Sequence, residues 1–309
     1  MACSPKKLIT VLTPTFNRAH LLPDLYRSLC EQSNHAFDWL IVDDGSTDET
    51  GELVSQWQKE NNGFHIGYFW KENDGKNRSI NKGVSLIETP FTMIRDSDDI
   101  LTHDAVAFLS KAAFDVTDMD NIAGIAALRG TDADTPLQEP AIPPGQFILA
   151  NNLERARYQL SRDACEVYKT AILRKYPFEV WPKEKFIPEE IVWDTLALDG
   201  FCLRWYHKVT CIVRYQIDGL SATSQKLQQN NPMGYASLFK HRVSLYSSFR
   251  QRLYWNSQLF AQCFLGRHLG YGLKENLSLC SLLSLPIGGV IAIRRLFQFR
   301  NVLPPKDMS

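Results

Sequence analysis

Blocks of apolar and polar residues alternate along the first 115 residues of the chain. Short runs rich in β-branched residues predict buried strands, and the stretches between them repeat apolar residues at helical spacing. The predicted strands are 8–13, 37–42, 64–70 and 91–95, and the predicted helices are 21–30, 47–59, 78–87 and 102–114. Ser46 and Glu49 have the spacing of a capping box before the second helix. This alternation predicts parallel βαβ units with helices on both faces of the sheet.

The pattern is less regular between residues 116 and 225. Aspartates and prolines surround one predicted strand, and we expect 130–150 to be a loop that either orders over a substrate or is a plain surface excursion. The other predicted elements are strands at 122–128, 165–169, 202–206 and 209–215, and helices from 171 and at 189–198. The predicted fold class is therefore α/β, with a mixed, mostly parallel sheet.

A helical pattern begins after Pro232. We therefore expect an α/β domain at residues 1–225, divided into halves at about 115, followed by a helical C-terminal region at 226–309. The two halves of the first domain, 1–115 and 116–225, are expected to hold different parts of a site.

Residues 277–293 carry no charge over 17 positions, and the Pro-Ile-Gly-Gly sequence at 286–289 is expected to break this apolar segment. It is also shorter than the ~20 residues that a membrane-spanning helix needs. Because Arg294, Arg295 and Arg300 follow it, peripheral contact of 277–300 with an anionic membrane surface is favoured. A buried hairpin is the alternative, and a true span is the least favoured.

Composition excludes several classes of protein. The chain has 309 residues and a formal net charge of zero, so no overall field favours nucleic acid. Its seven cysteines are scattered without a CxxC pair, which argues against a zinc framework or a disulfide scaffold and fits a reducing cytosol. The N-terminal sequence MACSPKK lacks the apolar stretch of a secretory signal, and we expect a cytoplasmic location.

Three carboxylates, Asp96, Asp98 and Asp99, follow the fourth predicted strand. Carboxylates this close repel one another unless a cation or hydrogen-bond donors compensate. Hard divalent cations such as Mg²⁺ and Mn²⁺ take oxygen ligands and often bridge a carboxylate to a diphosphate. One hypothesis is a metal–diphosphate site, with Asp98 as a metal ligand. The alternative is an acidic turn in which Asp99 or a neighbour caps the helix near Thr102.

Polar residues also follow the first and second strands, at 13–18 and 43–48. Parallel strands place their carboxyl ends along one edge of the sheet, where open α/β sheets bind ligands. We therefore expect a nucleotide site at this edge. The chain has no GxxxxGK[ST] and no GxGxxG run, so the phosphate-loop and dinucleotide fingerprints are absent.

The candidate nucleotide-binding residues lie at strand ends or near a helix start. They are Pro14, Thr15, Asn17, Arg18, Asp43, Asp44, Lys76, Asn77, Arg78, Asp96 and Ser97. Either Asp43 or Asp44 is expected to accept from a base N–H, and residues 76–78 to reach phosphate or sugar. Taken singly, Asp43 and Asp44 are equally well explained as turn formers, and Lys76 and Arg78 as solvated surface charges.

Four stretches carry a resemblance to a known family: ITVLTPTFNR (9–18), WLIVDDGSTD (39–48), KENDGKNRSINKG (71–83) and IRDSDD (94–99). In order and spacing they resemble glycosyltransferase family 2, the inverting nucleotide-sugar enzymes of the GT-A fold, and its bacterial polysaccharide members in particular. The resemblance implies a nucleotide-diphospho-sugar donor, most often UDP-linked. It also implies that Asp96 and Asp98 form a DxD site that holds ribose and Mn²⁺ or Mg²⁺.

Inverting glycosyl transfer needs a base that takes the proton of the acceptor hydroxyl. In the family a short acidic motif after the DxD supplies this base. The matching sequence here is PEEIVWD (188–194), which contains Glu189, Glu190 and Asp194. The more widespread Glu-Asp pair is Glu-Glu in this chain, so the choice among the three stays open. The alternative is an acidic pair that complements the dipole of a structural helix.

The expected function is a metal-dependent inverting glycosyltransferase that acts on a glycan or lipid-linked acceptor in surface polysaccharide biosynthesis, at the inner face of the membrane. Two alternatives are a nucleotide-sugar binding protein without turnover and a sugar nucleotidyltransferase. The nucleotidyltransferase is disfavoured because the chain lacks a Gly-rich, basic N-terminal loop.

Overall fold

The structure is a computed structural model that describes residues 7–161, 163–213, 224–274 and 276–300. Among these residues the chain forms two compact units. The first comprises residues 7–178 and 192–213, and the second comprises residues 179–191 and 224–300. The domain boundary expected at 225 stays a prediction.

The first unit begins with the predicted alternation of strands and helices. Its strands are β1 (Ile9–Thr15), β2 (Phe37–Asp43), β3 (His65–Trp70) and β4 (Phe91–Ile94), and its helices are α1 (Leu22–Cys30), α2 (Thr50–Trp57), α3 (Lys76–Leu86) and α4 (Ala105–Phe114). These four strands are parallel and lie in the order β3-β2-β1-β4. The predicted βαβ arrangement is therefore confirmed.

The rest of the first unit extends the sheet with antiparallel pairs. Its elements are β5 (Asp99–Leu101), β6 (Ile122–Gly130), β7 (Phe147–Ala150), β8 (Cys165–Lys169), α5 (Thr170–Lys175), α6 (Glu190–Leu198), whose first two residues belong to the second unit, and β9 (Cys202–Val213). The sheet continues from β4 through β8, β6 and β9 to β5, and β7 pairs with β9. Only β6 and β9 are parallel in this part. The sheet is mixed, as predicted.

Helices cover both faces of this sheet. Successive residues of β1 point to opposite sides, so Val11 belongs to the apolar cluster under α1, α2 and α4, whereas Leu12 belongs to the cluster under α3 and α5. Both residues are fully buried. The sheet is therefore the middle layer of three.

Several local predictions were wrong. Helix α2 starts at Thr50 with no side-chain cap, and Ser46 instead accepts a hydrogen bond from the Asn17 N–H, so the capping box does not form. The expected loop at 130–150 contains strand β7, and 202–206 and 209–213 are one strand, because β9 pairs along its length with β6, β7 and β5. Residues 214 and 215 lie outside the described residues.

The second unit is helical, as predicted. Its helices are α7 (Ser224–Asn230), α8 (Pro232–Leu245), α9 (Phe249–Leu265), α10 (Leu269–Leu273) and α11 (Leu279–Arg300). The expected break at 286–289 is wrong, since α11 continues through Pro286. Within α11, Leu279–Gln298 is long and apolar enough to cross a membrane, by length and composition alone, and 28% of its most apolar window is buried.

Candidate active site

The carboxyl ends of β1, β2 and β4 meet at one edge of the sheet. Thr15 is paired in register with Asp43, and the Asp44 N–H donates to the Thr15 carbonyl at 2.8 Å. The Arg95 N–H donates to the Leu12 carbonyl at 2.9 Å. This bond brings residues 96–99, which we call the DSDD turn, beside β1. The structure therefore brings together the three polar strand ends that the sequence singled out.

Asn17 joins the loops after β1 and β2. It has a positive φ of 51°, its N–H donates to the Ser46 hydroxyl at 2.8 Å, and its side-chain oxygen accepts from the Thr47 N–H at 2.8 Å. The two loops are thereby fixed against each other. Pro14 is buried within β1, and Arg18 is half-buried just after Asn17.

Thr15 is buried, and its hydroxyl is a polar atom without a hydrogen-bond partner among the described residues. A buried hydroxyl that stays unpaired costs free energy, typically about 1–3 kcal/mol. A ligand at this strand end is one way to satisfy it. Thr15 thus fits its predicted place beside the nucleotide.

Asp43 is fully buried but accepts few hydrogen bonds. Its oxygens accept from the Ser46 N–H at 2.7 Å and from the Tyr68 hydroxyl at 2.6 Å. Burial, together with the neighbouring Asp43 carboxylate, raises the pKa of Tyr68 far above its usual value. A carboxylate has about four acceptor positions, so Asp43 retains capacity to accept from a ligand.

Asp44 is saturated by protein donors. Its carboxylate accepts from Lys71 at 2.5 Å, from the N–H groups of Asp74 and Gly75 at 3.1 and 2.9 Å, and from the Ser79 hydroxyl at 3.1 Å. These donors belong to the turn that leads into α3 and to its first turn. Asp44 therefore fixes the start of α3, and Asp43 is the better placed of the two to contact a base.

The start of α3 faces the DSDD turn. The Lys76 ammonium lies 2.8 Å from Oδ1 of Asp96. Asn77 is buried, and the Arg78 guanidinium donates to the Asp74 carbonyl at 2.6 Å. The side chains at 76–78 thus lie on the same edge as the strand ends, as expected for residues that reach phosphate or sugar.

Alternate residues of the DSDD turn are buried. Ser97 and Asp99 are buried, while the side chain of Asp96 is 45% exposed and Asp98 is half-buried. Asp99 forms ion pairs with Arg95, at 3.4 Å, and with Arg129. It also accepts from the Asp96 N–H at 3.3 Å, so it holds the turn and does not cap α4.

The pKa values of Asp96 and Asp98 are shifted in opposite directions. Loss of water around Asp96 would raise its pKa, but Lys76, Arg129 and Arg95 outweigh this and hold the pKa below its usual value. The pKa of Asp98 is raised, first by burial and then by repulsion from Asp96 and Asp99. A cation beside Asp98 would relieve that repulsion.

Two carboxylates alone do not make a closed metal site. Among the described residues, no group of three or more His, Cys, Asp or Glu is arranged to hold a metal ion. Mg²⁺ and Mn²⁺ are commonly bound through one or two carboxylates together with substrate phosphates and water. Asp96 and Asp98 fit this type of site, in which the substrate completes the ligand set.

The three candidate bases are divided between the two units. Glu189 and Glu190 belong to the second unit, where the Arg242 guanidinium donates to Glu190 at 2.8 Å. Asp194 belongs to the first unit, is 1% exposed and accepts from the Asn152 amide at 2.5 Å. Trp193 stacks on Tyr168 with ring centroids 4.4 Å apart, so it is a packed aromatic residue of the first unit.

Comparison with known proteins identifies the family. The model of the family described as "Glycosyl transferase family 2" matches residues 10–180, which is more than half of the chain. The protein belongs to glycosyltransferase family 2. The match covers the strand ends, the start of α3 and the DSDD turn described above.

Two relatives of this family 2 protein share its N-terminal part. A teichuronic acid biosynthesis glycosyltransferase, TuaG of Bacillus subtilis, is 33% identical over 94 residues, which are 30% of this chain and 37% of TuaG. The GalNAc(5)-diNAcBac-PP-undecaprenol beta-1,3-glucosyltransferase of Campylobacter jejuni is 32% identical over 107 residues, which are 34% of each chain. The similarity thus spans only about a third of these relatives.

Solved structures extend the likeness to almost the whole chain. Residues 1–349 of S. aureus TarS in complex with UDP-GlcNAc match with a TM-score of 0.58 at 16% identity, over 96% of this chain and 82% of that one. A mannosyltransferase from Pyrobaculum calidifontis in complex with GDP-Man and Mn²⁺ matches with a TM-score of 0.53 at 16% identity, over 96% and 84%. The fold is therefore that of the GT-A glycosyltransferases.

Sequence reasoning did not assign the residues that pair with the carboxylates of the family 2 site. Tyr68 in β3 donates to Asp43, and Lys71 in the turn after β3 donates to Asp44. Arg129 in β6 pairs with Asp99. An unpaired buried carboxylate is costly, so the run of acidic residues was itself a signal that cations and donors had to come from elsewhere. The sequence pattern does not say from which element.

Proposed function

We propose that the protein is a metal-dependent, inverting glycosyltransferase. It transfers a sugar from a nucleotide-diphospho-sugar, most simply a UDP-sugar, to a glycan or lipid-linked acceptor in surface polysaccharide biosynthesis. The observation that carries this proposal is the pair Asp96 and Asp98 at the tip of β4, beside the strand ends that hold Thr15 and Asp43, in a family 2 chain.

The residues of the donor half come from β1, β2, the turn after β4 and the start of α3. Asp43 accepts from the base, and the Thr15 hydroxyl gains a partner from the nucleotide. Asp96 contacts the ribose and shares the metal with Asp98. Lys76 exchanges its ion pair with Asp96 for one with the diphosphate, since it already lies within 2.8 Å of that carboxylate.

Mn²⁺ or Mg²⁺ is the cofactor that this donor set suits. When bound, it supplies a Lewis acid that stabilises the negative charge on the departing nucleotide diphosphate. The protein's part is to hold the two carboxylates at the end of β4. Asp99, Arg95 and Arg129 do so from beneath the turn.

One carboxylate of the PEEIVWD motif acts as the base. Direct displacement at the anomeric carbon requires that the acceptor hydroxyl lose its proton as it attacks, and a carboxylate base typically contributes about 10²–10⁴-fold to such a step. Glu189, Glu190 and Asp194 remain the three candidates. Glu190 accepts a hydrogen bond from Arg242, and Asp194 accepts one from the Asn152 amide.

The acceptor and the location are proposed from the relatives and from α11. The Campylobacter relative is named for an undecaprenol-linked substrate, and a long apolar chain of this kind favours lipid over water. Helix α11 exposes apolar residues to the outside of the second unit. A cytoplasmic enzyme peripheral to the inner face of the membrane is consistent with both.

A panel of UDP-, GDP- and dTDP-sugars tests the proposal. We expect at least one of them to raise the thermal unfolding temperature in the presence of Mn²⁺ and to be hydrolysed slowly to the nucleoside diphosphate. The same panel with a chelator in place of Mn²⁺ is the control, and it should give neither effect. Absence of stabilisation and of hydrolysis for every sugar nucleotide would reject the proposed function.

A further inference from the structure

The neutral chain has a strongly asymmetric charge distribution. Residues 224–300 contain ten Lys and Arg and a single acidic residue, Glu275, which gives this segment a net charge of +9. Because the whole chain is neutral, the remainder carries −9. The helical C-terminal region is therefore a strongly basic body that overall composition conceals.

Helix α11 displays large apolar residues outward. Val290 is 68% exposed and Phe297 is 62% exposed. They belong to a set of exposed residues spaced three or four apart, which we call the apolar stripe: Leu279, Leu283, Ile287, Val290, Ile293 and Phe297. At this spacing they occupy one side of the helix.

The opposite side of α11 is small and polar. Ser284, Gly288 and Ala292 are buried at intervals of four residues, and a Cβ on Gly288 would lie 2.7 Å from the Cβ of Phe260 in α9. The Ser284 hydroxyl donates within its own helix to the Cys280 carbonyl at 2.7 Å. Small residues of this kind let two helices approach closely.

The distribution of large apolar side chains on α11 is the opposite of that on a helix at a water-exposed protein surface. A helix on the surface of a soluble protein buries its large apolar side chains and exposes polar ones. In α11 the buried side against α9 is lined by small residues, while most of the large apolar residues are exposed. Large apolar residues on the outside and small residues at the helix contact are typical of helices that lie in lipid.

Basic residues accompany the apolar stripe at both ends. Lys274 is exposed shortly before the first residue of the stripe, and Arg294 is exposed beside its C-terminal end. Arg250 and Arg267, at the two ends of α9, are exposed as well. Cationic residues at the two ends of an apolar surface complement anionic lipid head groups.

We propose that the apolar stripe of α11 docks on the surface of an anionic lipid bilayer. The stripe lies among the acyl chains near the head groups, and the basic residues contact anionic phosphates. In this proposal the helix lies along the surface, with its small-residue side packed against α9, and it does not span the bilayer. A second copy of the chain is a poorer partner for this face, since two regions of charge +9 repel each other.

The inference rests on the peripheral location in the proposed function and names the surface that produces it. The test is co-sedimentation of the full chain with vesicles of phosphatidylcholine alone or mixed with phosphatidylglycerol. We expect binding to the anionic vesicles, weak binding to the neutral ones, and loss of binding as salt is raised, because salt screens the charges.

Two pairs of variants locate the surface. Val290→Glu combined with Phe297→Glu should lower binding about tenfold or more, because two apolar side chains no longer enter the lipid. Phe114→Glu in α4 is the matched control, since Phe114 is equally exposed, and it should bind as the unchanged protein does. Arg294→Glu should weaken binding to anionic vesicles only, and Lys59→Glu, also exposed, should not.

Four outcomes would overturn the proposal. They are equal binding to both vesicle types, retained binding by the stripe variant, extraction from native membranes by detergent but not by alkaline carbonate, and a dimer of the unchanged protein that the stripe variant converts to a monomer. Circular dichroism checks that each variant is folded. Sugar-nucleotide stabilisation, measured on the same preparations, separates failure of docking from failure of the proposed transferase activity.

Discussion

Asp43 and Asp44 are neighbours in sequence but have different partners. Asp44 accepts from Lys71, two backbone N–H groups and a hydroxyl, whereas Asp43 accepts from one N–H group and one hydroxyl. Side chains of the same type thus serve different purposes at adjacent positions. The saturated carboxylate fixes the loop, and the other retains capacity for a ligand.

Asp99 gives a prediction about stability. Replacing it by Ala leaves Arg95 and Arg129 buried without their carboxylate, so we expect the free energy of unfolding to fall by about 3–5 kcal/mol. Urea unfolding measures this change. Asp104→Ala is the matched control, because Asp104 pairs with Lys208 at the surface and should cost no more than about 1 kcal/mol.

An equal, small loss in both variants would show that the buried pair does not hold the turn. The double variant Arg129→Met with Asp99→Ala should recover part of the loss, since it removes one of the stranded charges together with its partner.

The identity of the base gives a second prediction. Glu189→Gln, Glu190→Gln and Asp194→Asn each remove one carboxylate charge with little change in volume. We expect one of them to bind the donor normally and to lose about 10²–10⁴-fold in transfer, as removal of a general base does. Donor binding by calorimetry and transfer by product release are measured in parallel. If all three variants transferred normally, the base would lie outside this motif.

Strand β6 approaches β8 closely at Gly124. A Cβ at this position would lie 2.1 Å from the Val167 carbonyl oxygen and 2.8 Å from the Tyr168 Cα, and both are backbone atoms of β8. Backbone atoms of a central strand cannot move aside without disturbing the pairing that joins the two parts of the sheet. Only glycine, which has no Cβ, allows β6 and β8 to approach this closely at residue 124.

We accordingly expect Gly124→Ala to destabilise the protein by about 1–3 kcal/mol or more, as overpacking does. Thermal unfolding monitored by circular dichroism measures the loss. Gly270→Ala is the matched control, because nothing lies within 4 Å of a Cβ at that position. A midpoint for Gly124→Ala equal to that of the unchanged protein would contradict the packing described for these strands.

Elements with strong local patterns were predictable from the sequence. The strands β1 to β4 alternate with amphipathic helices, and their patterns predicted the parallel βαβ units and polar residues along one edge of the sheet. Pairing between distant segments was not predictable. Strand β7 forms because 147–150 pairs with β9, and α11 passes through Pro286 while packed against α9, so contacts with other elements override the local signal.

At the scale of the whole molecule, the net charge of zero conceals two oppositely charged parts of the chain. The neutral total combines a basic helical unit with an acidic remainder. Each part then suits its own proposed partner, an anionic bilayer for the basic region and a cation with a sugar nucleotide for the acidic strand ends.

The most direct test of the donor site is calorimetric titration of UDP into the protein with Mn²⁺, for the unchanged chain and for Asp98→Asn. We expect Mn²⁺-dependent binding in the unchanged protein and at least about a tenfold weaker association in the variant, because a carboxylate ligand is lost. Asp132→Asn, an exposed loop aspartate, is the control and should bind as the unchanged protein does. Equal Mn²⁺-dependent binding of UDP by Asp98→Asn would contradict the assignment of the metal to Asp96 and Asp98.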